Sequence, residues 1–457
     1  MRLVVHSNRP GIPLAEKLLV GVMVALIAYA SWARGGTSSG YQPPMAFLAV
    51  AAWLVFFAVS PVAARLRSLL KDPVFYAAVL FLILLGIQWF NSGRTLLYDY
   101  NVHKWIYTPP RIDWLPSAID SREALEMLLW FFPAFTIVLC IRHGLESRRS
   151  VRFFFIALLA SACLLALFGI AQFLSGTSSI YWRYPLPCRF FASFGYQNHG
   201  AAFFFLSFCL AIGLAFHALF RGVGGLLRTS LLVLALLVTL AATHLSLSRG
   251  MVILSWTAIA VAGTYLGVFY LREVSPAVRI NLVAGTIAIT MTACYFIIST
   301  AGSKLDDEMR VFKERGLLGD FDIRWWQIQG ATAIWKDHPW FGVGGWGYRH
   351  LSPIYVDRQH WAFTKEIGRG NVHNDIIQFL AEFGAIGLGL LILAVSVMLR
   401  ESLRSRWRHS PGLMLFILVG IGSVFLYSMV DIPFRCPAIM FSWFAMLAGI
   451  SRYQRLG

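Results

Sequence analysis

Apolar residues in this chain come in runs of about 20, separated by short polar segments, with no strand-like alternation inside the runs. A helix needs about 20 apolar residues to cross roughly 30 Å of hydrocarbon. The pattern predicts twelve such helices, over about 14–33, 43–60, 73–90, 124–141, 153–174, 200–220, 230–247, 251–271, 279–299, 376–399, 412–430 and 437–450. Lipid offers backbone groups no hydrogen-bond partners, so helix is the one conformation open to each run. The expected fold is an all-α integral membrane protein, one polytopic domain over 1–457 with about twelve transmembrane helices.

The polar segments differ in length on the two sides. One set is short. The other holds Asn91–Glu123, Ser175–His199 and a large loop over 300–374, which should carry short helices of its own. Within that loop KLDDEMRVFKERG and DIRWWQIQGATAIWKDHP have helical periodicity, the second with Asp322 as N-cap and Pro339 as its stop. GVGGWGY, from Gly342 to Tyr348, reads as a flexible turn. No internal repeat or low-complexity tract divides the chain.

Composition agrees with a bilayer protein: of 457 residues 58% are hydrophobic and 13% charged, and the mean hydropathy is +0.65. Charge then orients the chain. With the N-terminus inside, the short-loop side holds about half of the 39 basic residues but only Glu16, Asp72, Glu146, Glu273 and Glu401 among the acids. Lys and Arg concentrate in cytoplasmic loops, so both termini are expected in the cytoplasm and the long loops outside. The net charge of +17 is thereby topology. With no basic domain, a nucleic-acid partner is not expected. Ala28-Tyr29-Ala30 resembles a signal cleavage site, but the first run is read as a retained span. Cys188 and Cys436 fall on outer loops and are read as two free thiols rather than a pair.

Candidate chemistry gathers at the mouth of the tenth predicted helix, in GNVHNDIIQFLAEFGAIGLGLLI from Gly370 to Ile392. If Asp375 caps the helix, Gln378 completes a capping box. His373 and Asn374 then stand at a helix mouth whose free N–H groups favour an anion. Asp375, Gln378 and Glu382 form one polar stripe two turns deep, where an ionisable group should face a cavity or partner. The plainer alternative for Glu382 is pairing with an arginine for packing. Gly384, Gly387 and Gly389 suggest a close helix contact. Arg189, Arg249 and Arg324 stand at outer boundaries of spans or loop helices. An arginine's planar fork suits phosphate oxygens, and Arg189, Arg249 and His373 are expected to converge on one anionic group. Asp320-Phe321-Asp322, His338 and Asp99 are weaker candidates, the last for metal-dependent sugar transfer from a lipid phosphate. There is no Walker A, HExxH or GxSxG pattern.

VHNDIIQFLAEFGAIGLGLLI resembles the signature of the bacterial O-antigen ligase and polymerase superfamily. RFFASFGYQNHGA, the SRG of LSLSRGMVIL, WWQIQGATAIWKDHPWFGVGGWGY and MVDIPFRCPA are similar to family segments and fall in the same order, so the resemblance covers about 185–440. It implies an inner-membrane glycosyltransferase with a periplasmic site that needs no metal and no cofactor. The donor would be an undecaprenyl-diphosphate-linked glycan, the acceptor a sugar hydroxyl of a glycolipid or glycan, with membrane lipids as surroundings. Carried over, Arg189 and Arg249, with Arg324, hold the diphosphate. His373 completes the clamp or acts as base, a role open also to Glu382 and Asp375. Ligation to a surface acceptor is favoured over polymerisation from the same donor. A lipid-linked-glycan flippase is the non-enzymatic alternative, disfavoured because the ionisable residues cluster near one side.

Overall fold

The computed structural model describes residues 11–58, 61–92, 96–99, 104–107, 110–186, 189–221, 225–269, 324–356, 370–404 and 410–456. Its helices are α1 (Leu14–Trp32), α2 (Gln42–Ala58), α3 (Val62–Leu69), α4 (Pro73–Asn91), α5 (Ser121–Gly144), α6 (Arg148–Leu174), α7 (Gln197–Arg221), α8 (Leu226–Leu245) and α9 (Arg249–Phe269). They continue with α10 (324–337), α11 (Gly347–Tyr355), α12 (Asp375–Arg404), α13 (Pro411–Tyr427) and α14 (Pro437–Arg455). Two short antiparallel pairs, Leu96–Asp99 with Lys104–Tyr107 and Ser179–Ile180 with Tyr184–Pro185, sit in the loops. Among the described residues nine helices are long and apolar enough to cross a membrane, and α13 is a shorter apolar helix. The predicted span over 279–299 lies outside the described residues, as do Cys188 and the Asp320-Phe321-Asp322 triplet.

Helix starts follow local chemistry. Asp72 accepts from the Val74 N–H at 3.0 Å with Pro73 at the first helical position, Asp120 accepts from Glu123 N–H at 2.9 Å, and Ser147 from Ser150 N–H at 3.1 Å. Apolar residues all round a helix mean burial on every side. In α14 every residue from Pro437 to Ser451 is buried, and the helix forms the centre of the bundle with α1, α5, α6, α7, α12 and α13 around it. Helix α1 is part of that assembly, with Leu19, Met23 and Leu26 fully buried.

At the short-loop end, α14 meets a buried ionic lock. The Arg142 guanidinium forks onto Asp72 at 2.8 and 2.9 Å and reaches Glu401 at 2.7 Å and Ser451 Oγ at 2.8 Å. His143 lies 2.8 Å from the same Asp72 carboxylate. One arginine thus ties the ends of α4, α5, α12 and α14, and leaves the opposite end of the bundle to carry the candidate site.

Candidate functional site

Two backbone features build the site. The first is a break in α12. Gly384 has φ 66° and ψ −174°, a conformation essentially confined to glycine, so the helical ladder stops there. The strap 339–344 fills the gap. Ala385 and Ile386 N–H groups donate to the carbonyls of Pro339 (2.8 Å) and Trp340 (3.1 Å). Val343 and Gly344 N–H groups donate to the carbonyls of Ala381 (3.1 Å) and Glu382 (2.8 Å). Four groups freed by the break thus find partners in the strap, and such replacement is what allows irregular backbone at this depth. A Cβ on Gly342 would lie 2.4 Å from the Glu382 carbonyl carbon, so Gly342–Tyr348 is a tightly packed insert and the flexible turn expected from its glycines is corrected. Of the glycines expected at a helix contact, Gly387 packs against Phe81 of α4, Gly384 makes the break, and a Cβ on Gly389 would touch nothing within 4 Å.

The second feature is the stitched mouth of α12. The cap is Asn374, whose Oδ1 accepts from Ile377 N–H at 3.0 Å, so Asp375 is the first helical residue and the expected capping box with Gln378 does not form. The sequence Asn-Asp offers two good caps in a row, and the first one takes the position. Asn374 Nδ2 reaches the Met429 carbonyl at 3.0 Å, and the Asp375 N–H reaches that of Ser428 at 2.8 Å. The segment between α13 and α14 is thereby held against the helix mouth.

That segment contributes Asp431 and Arg435, neither singled out from the sequence. Asp431 accepts from Tyr427 Oη (2.8 Å), Asn198 Nδ2 (2.5 Å), Tyr196 Oη (3.2 Å) and its neighbour Ile432 N–H (2.8 Å), with His373 Nδ1 at 3.5 Å. Burial alone would raise this carboxyl, but the contact with His373 and the hydroxyl and amide donors hold it down at about 2. Arg435 donates to Glu382 at 2.7 Å and stands 3.9 Å from Asp375. Glu382 also accepts from Gln378 Nε2 at 3.0 Å, and Gln378 Oε1 accepts from Val372 N–H at 2.9 Å. The expected polar stripe exists, with Arg435 as its cation.

The loop helices close over this column. Trp346 has Arg349 over its ring at 4.1 Å and Arg435 at 4.8 Å. Glu123 of α5 pairs with Arg349 at 3.1 Å and His350 at 2.8 Å. The other loop tryptophans divide: Trp325 and Trp340 are exposed, Trp326 and Trp335 half-buried. His338 is exposed at the end of α10.

His373, Asn374, Asp375 and Glu382 thus belong to one connected site. Arg324 opens α10 and donates to the Val430 carbonyl, beside Asp431. Arg249 is the exposed first residue of α9, between Ser248, whose Oγ is 3.4 Å from Tyr427 Oη, and Gly250, whose Cβ position lies 2.5 Å from the Tyr427 ring. Arg189 is exposed two residues before the Phe191–Phe194 bridge, on the strand of chain that delivers Tyr196 and Asn198 to Asp431. Cys436, at the other side of this segment, is buried and free, with Sγ 3.3 Å from the Gly35 carbonyl. The overlooked signal was MVDIPFRCPA itself: an acid and an arginine four residues apart between apolar spans.

Below the mouth, a cleft of 520 Å³ runs between α12 and α13, floored by α14. Its walls are apolar, and Asp375, Ser428 and Arg435 stand at its polar end.

Residues 205–392 match the family model for O-antigen ligase. No curated protein matches the chain.

Proposed function

We propose that this chain, whose residues 205–392 match the family model for O-antigen ligase, transfers a glycan from undecaprenyl diphosphate to a sugar hydroxyl at the periplasmic face of the inner membrane. The match supports a glycosyltransferase role in surface glycan synthesis. The observation that supports the finer reading is the His373–Asp431 pair at the mouth of α12, with Arg324 bonded one residue away and Ser248 and Gly250, which flank Arg249, against Tyr427.

Transfer makes a bond from the acceptor oxygen to the anomeric carbon and breaks the bond from that carbon to the diphosphate, which leaves with the electron pair. Negative charge grows on the leaving oxygens. Fixed guanidinium groups oriented before reaction stabilise that charge without reorganising. Arg189, Arg249 and Arg324 take this role in the proposal. His373, with its ring set by Asp431, donates to the same oxygens or takes the acceptor proton. Glu382 is wholly enclosed by Arg435 and Gln378, which supports a positioning role for it in place of general base.

The test combines purified protein with an undecaprenyl-diphosphate glycan and candidate acceptors, with and without EDTA. Transfer unaffected by EDTA and abolished by His373→Ala and Arg249→Ala is expected. Full activity of either variant would sink the assignment of the site.

A further inference from the structure

The N-terminal half of the chain reaches the candidate site through the turn after α1. Arg34, Gly35 and Gly36 have φ of 55°, 73° and 77°, three left-handed residues in succession. Close contacts account for both glycines: a Cβ on Gly35 would lie 2.7 Å from Cys436 Sγ, and one on Gly36 3.0 Å from Pro437. Arg34 has no such reason to be there. A left-handed backbone is costly for a residue with a Cβ, and glycine would serve this position better.

The fold makes no use of its guanidinium either. The last carbonyls of α1, which a cation could cap, are taken by other donors, Ser193 Oγ at Ser31 and Tyr181 Oη at Trp32. Arg34 is half-buried, and among the described residues its guanidinium makes no hydrogen bond or ion pair. Its Nη2 lies 3.9 Å from the Cβ position on Gly195. Gly195 follows Phe194, whose bridge to Phe191 closes through the tight turn at Ala192 and Ser193, so Gly195 stands at the open end together with the stretch that carries Arg189. Its neighbour Tyr196 donates to Asp431. A strained residue whose side chain has no structural partner calls for a functional account.

We propose that Arg34 is a further phosphate-binding residue, which with Arg189 holds oxygens of the donor's diphosphate. A guanidinium fork left open to solvent offers the donors that such an anion needs. The inference rests on the transfer reading above and adds to it a contact from the end of the first span.

The test is binding of undecaprenyl diphosphate and of undecaprenol to the full-length protein in nanodiscs, read by native mass spectrometry, beside transfer kinetics at varied donor and varied acceptor. Arg34→Gly should weaken diphosphate binding about tenfold, the worth of one charge-assisted hydrogen bond, and raise the KM for donor by a similar factor. Undecaprenol binding should not change. Glycine suits the left-handed turn, so the unfolding midpoint should not fall, whereas a purely structural arginine would lower it. Arg34→Lys keeps the charge without the fork and should lie between parent and Arg34→Gly. Arg111→Ala removes an exposed arginine that sits over the Phe90 ring and should alter neither binding nor KM. Parental diphosphate binding by Arg34→Gly, an equal loss in Arg111→Ala, a lowered midpoint, or a rise in acceptor KM in place of donor KM would overturn the proposal. Diphosphate binding that depends on Arg34 in a protein that transfers no glycan removes the transfer reading and leaves this one. Transfer by Arg34→Gly with the parental donor KM removes Arg34 alone.

Discussion

Arg435 donates to Glu382 across 2.7 Å, with the acid completely buried and the arginine 7% exposed. Breaking such a pair leaves a charge stranded at low dielectric, a loss of roughly 3–5 kcal/mol, whereas removing both partners costs far less. Glu382→Leu and Arg435→Leu should each lower the thermal unfolding midpoint strongly. The double variant should recover part of that loss, and additive losses would show that the two side chains do not act as a pair.

His373 and its neighbours should govern rate. Removing a proton-transfer or oxyanion-stabilising group costs on the order of 10²–10⁴-fold in turnover. His373→Ala should fall in that range, read per folded protein, with a modestly lowered unfolding midpoint because Asp431 loses a partner. Arg324→Ala should act mainly through the donor, raising KM in assays run at varied donor concentration.

Acid should weaken the site through Asp431. A folded-state value below the unfolded one contributes stability that is complete above the ordinary 3.8 and lost as pH falls through about 2. Asp431→Asn should therefore be less stable than the parent at neutral pH, by on the order of 2 kcal/mol. The gap should close across that acid window in tryptophan-fluorescence unfolding, and a gap constant with pH would refute the linkage.

The strap predicts a contrast between glycines. A Cβ on Gly384 would sit 2.3 Å from the Trp340 carbonyl carbon, at a backbone angle only glycine adopts readily. Gly384→Ala should abolish folded protein on size-exclusion chromatography. Gly389→Ala, with open space around it, should change stability by less than about 0.5 kcal/mol.

At the far end, Arg142→Leu strands Asp72 and Glu401 and should destabilise by roughly 3–5 kcal/mol. Its folded fraction should keep the parental kcat, since the lock touches no group of the candidate site.

Periodicity made the spans legible because burial in lipid or protein demands long apolar runs. It could not separate a lipid-facing helix from one enclosed by protein, so the central position of α14 in the bundle was not legible. At the site, His373, Asn374, Asp375 and Glu382 stood out as polar groups in an apolar context. Asp431 and Arg435 carried the same signal in MVDIPFRCPA, but their partners lie 58 and 53 positions away, at His373 and Glu382, and pairing at that separation is a product of the fold. The glycines of the strap misled for a related reason: absence of side chains reads as freedom in one dimension and as close contact in three.

The spliced helix also bears on biogenesis. A conventional span closes its own hydrogen bonds and can leave the insertion machinery alone, but α12 carries four main-chain groups that only residues 339–344 satisfy. Those residues precede it in translation, so the segment that supplies the partners is made before the helix that needs them. The helix is complete only with the strap docked, so a change that displaces the strap should register as a failure of membrane assembly before any effect on turnover can be seen.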